Sequence, residues 1–251
     1  MKQLLLSALI ALSIGTANAA DQRILVFGDS NTFGWQTDEQ GTVSRMPIDV
    51  TWPGQMAQQL GSGYEVIVEG LGGRTTDVDK PIGSGSGRIS GVGMNGAAYL
   101  PAALSSHMPL DLVIIMLGTN DMHRDIHRSA NDIALALGRL AQTVVDGNWQ
   151  LKTHYPAPKV LIVSPPKLNL TTSPWAAFYE GAKEKSEALA AAAEPIVKSV
   201  GASFYNAALA VPYGEAPDQI HLTSENHRIL GAAVAEQVRH ILSPAIVPAA
   251  E

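Results

Sequence analysis

The chain has 251 residues, 46% hydrophobic and 16% charged, a balance that excludes a disordered polypeptide and provides for a large buried core. Its 17 Lys and Arg against 23 Asp and Glu leave a net charge of -6, which argues against a nucleic-acid or anionic-membrane partner, since either recruits a basic face. With no cysteine, disulfides, zinc–thiolate sites, iron–sulfur clusters and a cysteine nucleophile are all removed.

Residues 1–19 read as a secretory signal: Lys2 supplies the positive start, 4–14 the apolar run, and Ala17-Asn18-Ala19 a small-residue cleavage site. A membrane anchor is the rival reading. The expected product is a single domain over 20–251 with no later membrane span, exported to the periplasm or the medium. Apolar runs at 23–27, 64–68, 111–117 and 160–163, with a weaker one at 203–205, predict buried strands. Helices are predicted over 54–60, 96–106, 131–145, 175–200 and 224–241. Near-continuous apolar strands alternating with helices predict an α/β fold, its parallel sheet covered on both faces. The glycine- and serine-rich stretch 82–96 reads as a long surface loop rather than a domain boundary.

Gly28-Asp29-Ser30-Asn31-Thr32 directly follows the first predicted strand. A strand-to-helix turn there presents the Ser30 hydroxyl at the carboxyl edge of the sheet, and the Ser30 amide at a helix N-terminus. A simple N-cap serine is the plainer alternative. The G-x-S-x-G elbow of another hydrolase class is absent, because Thr32 stands where its second glycine belongs. A serine nucleophile needs a base, and the base an orienting group. Asp218-Gln219-Ile220-His221 offers both, since a three-residue spacing brings a carboxylate back to one nitrogen of the imidazole and leaves the other facing outward. By itself the same pattern also starts helices. Gly70-Leu71-Gly72-Gly73-Arg74 follows the second strand and Gly118-Thr119-Asn120-Asp121 the third. Flexible backbone in the first and the Asn120 amide in the second point donors at the same edge, although each also makes an ordinary turn.

Ser30, the glycine pair, Asn120 and His221 together resemble the four signature positions of the SGNH (GDSL-type) hydrolase superfamily. Glu69-Gly70-Leu71, Arg74-Thr75-Thr76, Asn95-Gly96-Ala97-Ala98-Tyr99-Leu100, Tyr155-Pro156-Ala157-Pro158 and Val163-Ser164-Pro165-Pro166 look like its bacterial arylesterase/acyltransferase (perhydrolase-like) branch. The resemblance implies a flavodoxin-like three-layer α/β/α sandwich with a five-stranded parallel sheet. It implies a serine esterase acting on short-chain or aryl esters, in some members with acyl transfer to alcohols or peroxide, and with no metal or organic cofactor. It makes Ser30 the nucleophile, His221 the general base and acid, and Asp218 the orienting carboxylate. The oxyanion hole becomes the Ser30 amide, the Gly73 amide and the Asn120 side chain, with Gly72 as the alternative glycine. Trp35 falls at the acyl pocket, ordinary packing being its other reading. A small-molecule ester is the expected partner, and a homo-oligomer stays open. So do a lysophospholipase or thioesterase, a carbohydrate acetylesterase, and a catalytically silent binding domain.

Two further motifs carry less. Gly91-Val92-Gly93-Met94-Asn95-Gly96 matches a dinucleotide fingerprint, but no predicted strand precedes it and Asp111 opens a strand rather than ending one. His123 and His127 stand four apart, yet Arg124 and Arg128 are interleaved and no H-E-x-x-H is present, so a solvated face is expected rather than a zinc site.

Overall fold

The computed structural model describes residues 22–38, 40–80, 91–215 and 217–243. The proposed signal over 1–19 and most of the predicted 82–96 loop lie outside them. The described residues open with β1 (Gln22–Gly28), α1 (Ser30–Phe33), a hairpin of β2 (Trp35–Thr37) and β3 (Val43–Arg45), α2 (Trp52–Leu60) and β4 (Tyr64–Gly70). The chain continues through α3 (Gly91–Met94), α4 (Gly96–His107), β5 (Leu112–Met116), α5 (Ala130–Asp146) and β6 (Lys159–Ser164). It then adds α6 (Ala182–Ser199), β7 (Ser203–Asn206) and α7 (Ser224–Leu242).

The main sheet runs β4-β1-β5-β6-β7 and is parallel throughout, as predicted. Its apolar strands are continuous because alternate residues serve opposite cores. Leu25, Phe27, Val113 and Ile115 pack with α4, α5 and α6 on one face, whereas Ile24, Val26, Leu112, Ile114 and Met116 pack with α2 and α7 on the other. Counting the main-sheet strands alone, the order is 2-1-3-4-5, which places the chain reversal, and hence a crevice, at the carboxyl end of β1. Gly28 pairs with both Gly70 and Met116, so the loops leaving β1, β4 and β5 start at one level.

Three differences from the sequence reading have local causes. The helix predicted over 175–200 is a 3₁₀ turn at Ala176–Tyr179 followed by α6, broken at Gly181, whose φ of 75° is left-handed. The hairpin of β2 and β3 was not anticipated, since three residues per strand are too few to show an alternation. The described end of the 82–96 stretch is α3, followed by Asn95, whose side chain accepts from Ala98 N to cap α4. The G-x-G-x-x-G thus belongs to a helix–cap–helix corner. No helix among the described residues is long and apolar enough to cross a membrane.

Candidate active site

The site starts where β1 ends. Asp29 caps α1 by accepting from Asn31 N at 3.0 Å, which makes Ser30 the first residue of a single helical turn. A Cβ on Gly28 would stand 2.1 Å from Thr32 Oγ1, so the missing side chain lets the turn fold back on the strand. Ser30 is 6% exposed at the sheet edge.

From the far end of the chain, Asp218 bends its own segment into an Asx turn, with Oδ1 accepting from Ile220 N at 3.0 Å and His221 N at 2.9 Å. Gln219 takes a left-handed φ of 58° in that turn, and its Oε1 accepts from Thr172 N at 2.8 Å. The second carboxylate oxygen is then 2.7 Å from His221 Nδ1, and His221 Nε2 is 2.9 Å from Ser30 Oγ. With Nδ1–H donating to Asp218, Nε2 is left to accept from the serine hydroxyl. Burial pushes the Asp218 carboxyl up, but the His221 ring and the two backbone N–H groups outweigh it and hold the carboxyl well below the usual range.

Four residues that the sequence did not single out hold this chain in place. Asn31 bridges the two distant segments, its Oδ1 accepting from Leu222 N at 3.1 Å and its Nδ2 donating to Ile220 O at 3.3 Å. Thr37 Oγ1 donates to Asp218 Oδ2 at 2.9 Å, and Ser173 Oγ donates to the Asp218 carbonyl. Tyr179 OH donates to Asn120 Oδ1 at 3.4 Å. Only adjacency to Ser30 could have drawn attention to Asn31; no sequence signal marks the other three.

Gly73 and Asn120 face the same edge. Gly73 has φ of 83°, a left-handed conformation natural to glycine, in a turn closed by Arg74 N donating to Leu71 O at 3.1 Å. The Arg74 guanidinium donates to the carbonyls of Gly28 and Glu69 and lies 4.1 Å from the Phe27 ring centroid, locking the turn to β1. Asn120 follows β5 on a 3₁₀ turn, its Nδ2 donating to Arg74 O at 3.2 Å and standing 3.4 Å from Asp29 Oδ2. Beneath it, buried Asp121 accepts from Thr76 N at 2.9 Å and pairs with Arg128 at 3.0 Å, tying the two loops together. Burial pushes the Asp29 and Asp121 carboxyls up to about 6. Gly72 stays in reach as well: a Cβ on it would lie 3.9 Å from Ser30 Cβ.

Trp35 is on the unforeseen hairpin rather than between helix and sheet, and stacks on His221. The two histidines considered as metal ligands do not share a solvated face. The His123 side chain is 13% exposed and its ring packs on Phe178 and Tyr179, while His127 ends a 3₁₀ turn with φ of 53°. The reason is the aromatic turn at 176–179, which covers His123 and could not be placed from sequence.

A parallel α/β sandwich with a Ser–His–Asp chain at its topological switch point is the architecture of an ester hydrolase. The family profile of the GDSL-like lipases/acylhydrolases matches residues 26–229, and the chain belongs to that family. It is similar to the inhibitor-bound M. smegmatis aryl esterase, with 43% identity and a TM-score of 0.81 over 88% of this chain and 100% of that one. It is equally similar in fold to Est24, a carbohydrate acetylesterase from Sinorhizobium meliloti, with 39% identity, a TM-score of 0.81, and 88% and 100% coverage. A curated arylesterase of Vibrio mimicus is 35% identical over 117 residues, which span 47% of this chain and 46% of that protein, so the match takes in about half the length of that relative.

Proposed function

We propose that the protein hydrolyses carboxylic esters through an acyl-enzyme on Ser30, with short-chain and aryl esters as its substrates. The observation that carries this reading is the continuous hydrogen-bonded chain from Ser30 Oγ through His221 to Asp218, with steps of 2.9 and 2.7 Å. Ser30 Oγ attacks the ester carbonyl as His221 Nε2 takes its proton, and Asp218 stabilises the resulting imidazolium. The tetrahedral oxyanion is received by the Ser30 and Gly73 amides and by Asn120 Nδ2, whose long 3.4 Å contact to Asp29 is the one it gives up. His221 returns the proton to the departing alkoxide, leaving the acyl group on Ser30. Water, activated by the same histidine, then releases the acid; an alcohol or peroxide in its place gives acyl transfer.

The aryl preference is supported by Trp175 and Phe178, both more than 40% exposed and 5.9 Å apart, on the turn that also delivers Tyr179 to Asn120. The same rim suits a sugar face, and acetylated carbohydrate is the second reading, favoured by the likeness to Est24. Export is supported by the 1–19 pattern, and N-terminal sequencing of the protein secreted by its host tests it. A fluorophosphonate probe tests the enzymatic reading. Mass spectrometry should place one adduct on Ser30, with loss of p-nitrophenyl acetate hydrolysis in proportion to labelling. Full activity after complete labelling, or an adduct elsewhere, overturns it.

A further inference from the structure

We infer that Lys80 is an electrostatic element of the oxyanion side, a fixed positive charge beside Gly73 that stabilises the tetrahedral intermediate. The inference rests on the esterase reading above and adds a residue to it. A Cβ on Gly73 would stand 3.1 Å from Lys80 Nζ and 2.7 Å from Met94 Cε, so the ammonium lies against the turn to which the esterase reading assigns an oxyanion donor. The backbone of Lys80 is pinned there by its N–H donating to Gly91 O at 3.3 Å. The side chain is half-buried, and among the described residues it forms no salt bridge.

A cation partly withdrawn from water, with no ion-pair partner among the described residues, is a cost in the resting protein. Negative charge that develops on the carbonyl oxygen offsets that cost in the transition state and not in the bound neutral ester. The benefit therefore falls on kcat rather than on KM. Among the described residues, Asp29 and His123 face Lys80. Asp29 attracts it from behind Ser30, and His123 feels its charge from the turn after β5. Burial pushes the Lys80 ammonium below its ordinary value, with Asp29 opposing, so the proton is lost within reach of an alkaline titration.

Lys80→Met and Lys80→Arg, compared with wild type on neutral p-nitrophenyl acetate from pH 6 to 10.5, test this. Lys80→Met should lower kcat roughly tenfold with KM within about twofold, and Lys80→Arg should keep most of the rate. In wild type kcat should fall as pH rises through the Lys80 titration, because the charged form is the active one, and in Lys80→Met that limb should vanish. Above about pH 8 Asp29, raised to about 6, is ionised and His123, pushed below its ordinary value, is neutral in both enzymes, and burial pushes Tyr179 above the range. Arg74, which burial pushes down to about 10, titrates alike in both, so the Lys80 limb is read as the difference between the two profiles. A monosuccinyl aryl ester provides the opposing outcome. If Lys80→Met leaves kcat on the neutral ester intact and raises KM only for the succinyl ester, Lys80 is a carboxylate-binding residue and the inference fails. It fails equally if neither ester responds. Melting curves monitor folding of both variants. Ser30→Ala, run alongside, separates the two levels: an active Ser30→Ala sinks the esterase reading itself, whatever Lys80 does.

Discussion

The indole of Trp35 lies stacked on the imidazole of His221, with ring centroids 5.6 Å apart and planes at 21°. The same indole covers Gly72, whose missing Cβ would touch it at 3.2 Å, so Trp35 walls the space beside both the base and the glycine turn. Trp35→Ala should open that space and shift preference from acetyl toward hexanoyl esters by several-fold in relative kcat/KM. An unchanged ratio between p-nitrophenyl acetate and hexanoate would take Trp35 out of the acyl pocket.

Asp218 contributes through charge and orientation. Asp218→Asn keeps the size of the side chain but loses the charge that stabilises the imidazolium, and it allows the wrong imidazole tautomer. A fall in kcat of about 10²–10⁴-fold with little change in melting temperature is expected. Retention of wild-type kcat would assign the orienting role elsewhere.

Asn120 presents a donor where negative charge develops. Asn120→Ala should cost about 10²–10³-fold in kcat with a much smaller change in KM. Asn120→Asp should be at least as damaging, since a carboxylate would repel the oxyanion. If the residue served only its turn, aspartate would preserve both turn and activity, and an undiminished kcat in that variant ends the oxyanion assignment.

Asn31 ties Ser30's turn to the His221 segment through bonds to Leu222 N and Ile220 O. Asn31→Ala leaves both backbone groups unsatisfied in a buried place, at a cost of about 1–3 kcal/mol in folding stability. It should also lower kcat by roughly an order of magnitude as the base loses its position. Urea unfolding and steady-state rates on one preparation measure both; a loss of stability without loss of kcat would leave Asn31 a structural residue only.

His227 governs part of the acid stability. It is fully buried on the first turn of α7, and its Nδ1 accepts from Trp52 N at 3.0 Å. Burial, with His221 adding, pushes its titration down to about 4, below the unfolded value of roughly 6.5. The unfolded chain therefore binds the extra proton first. The neutral ring's full contribution is present above about pH 6.5 and is lost as pH falls through 4, by about 3 kcal/mol in all. Asp29 and Asp121, raised to about 6, gain protons in the folded state first and act with the opposite sign. They are common to wild type and His227→Gln, so the difference between the two isolates the histidine. The wild type should lose more unfolding free energy between pH 7 and 4.5; equal slopes would refute the assignment.

The sheet and the three loop motifs were readable in one dimension because their causes are local. Strand residues such as Ile24 to Phe27 are apolar at every position, since a sheet covered on both faces buries both sides of each strand. The Asp218–His221 spacing was readable because an Asx turn needs only its own four residues. The helix over 175–200 was read too long because periodicity does not show that Gly181 is left-handed. Asn31, Thr37, Tyr179 and Lys80 entered the site only through tertiary structure. Thr37 and Asp218 are 181 residues apart, and their contact exists only once the β2–β3 hairpin has folded beside the last loop. Residue type and spacing carry information about neighbours along the chain. What fills the space around Ser30 is decided by which distant segments the parallel sheet brings to its carboxyl edge, and that is settled by packing.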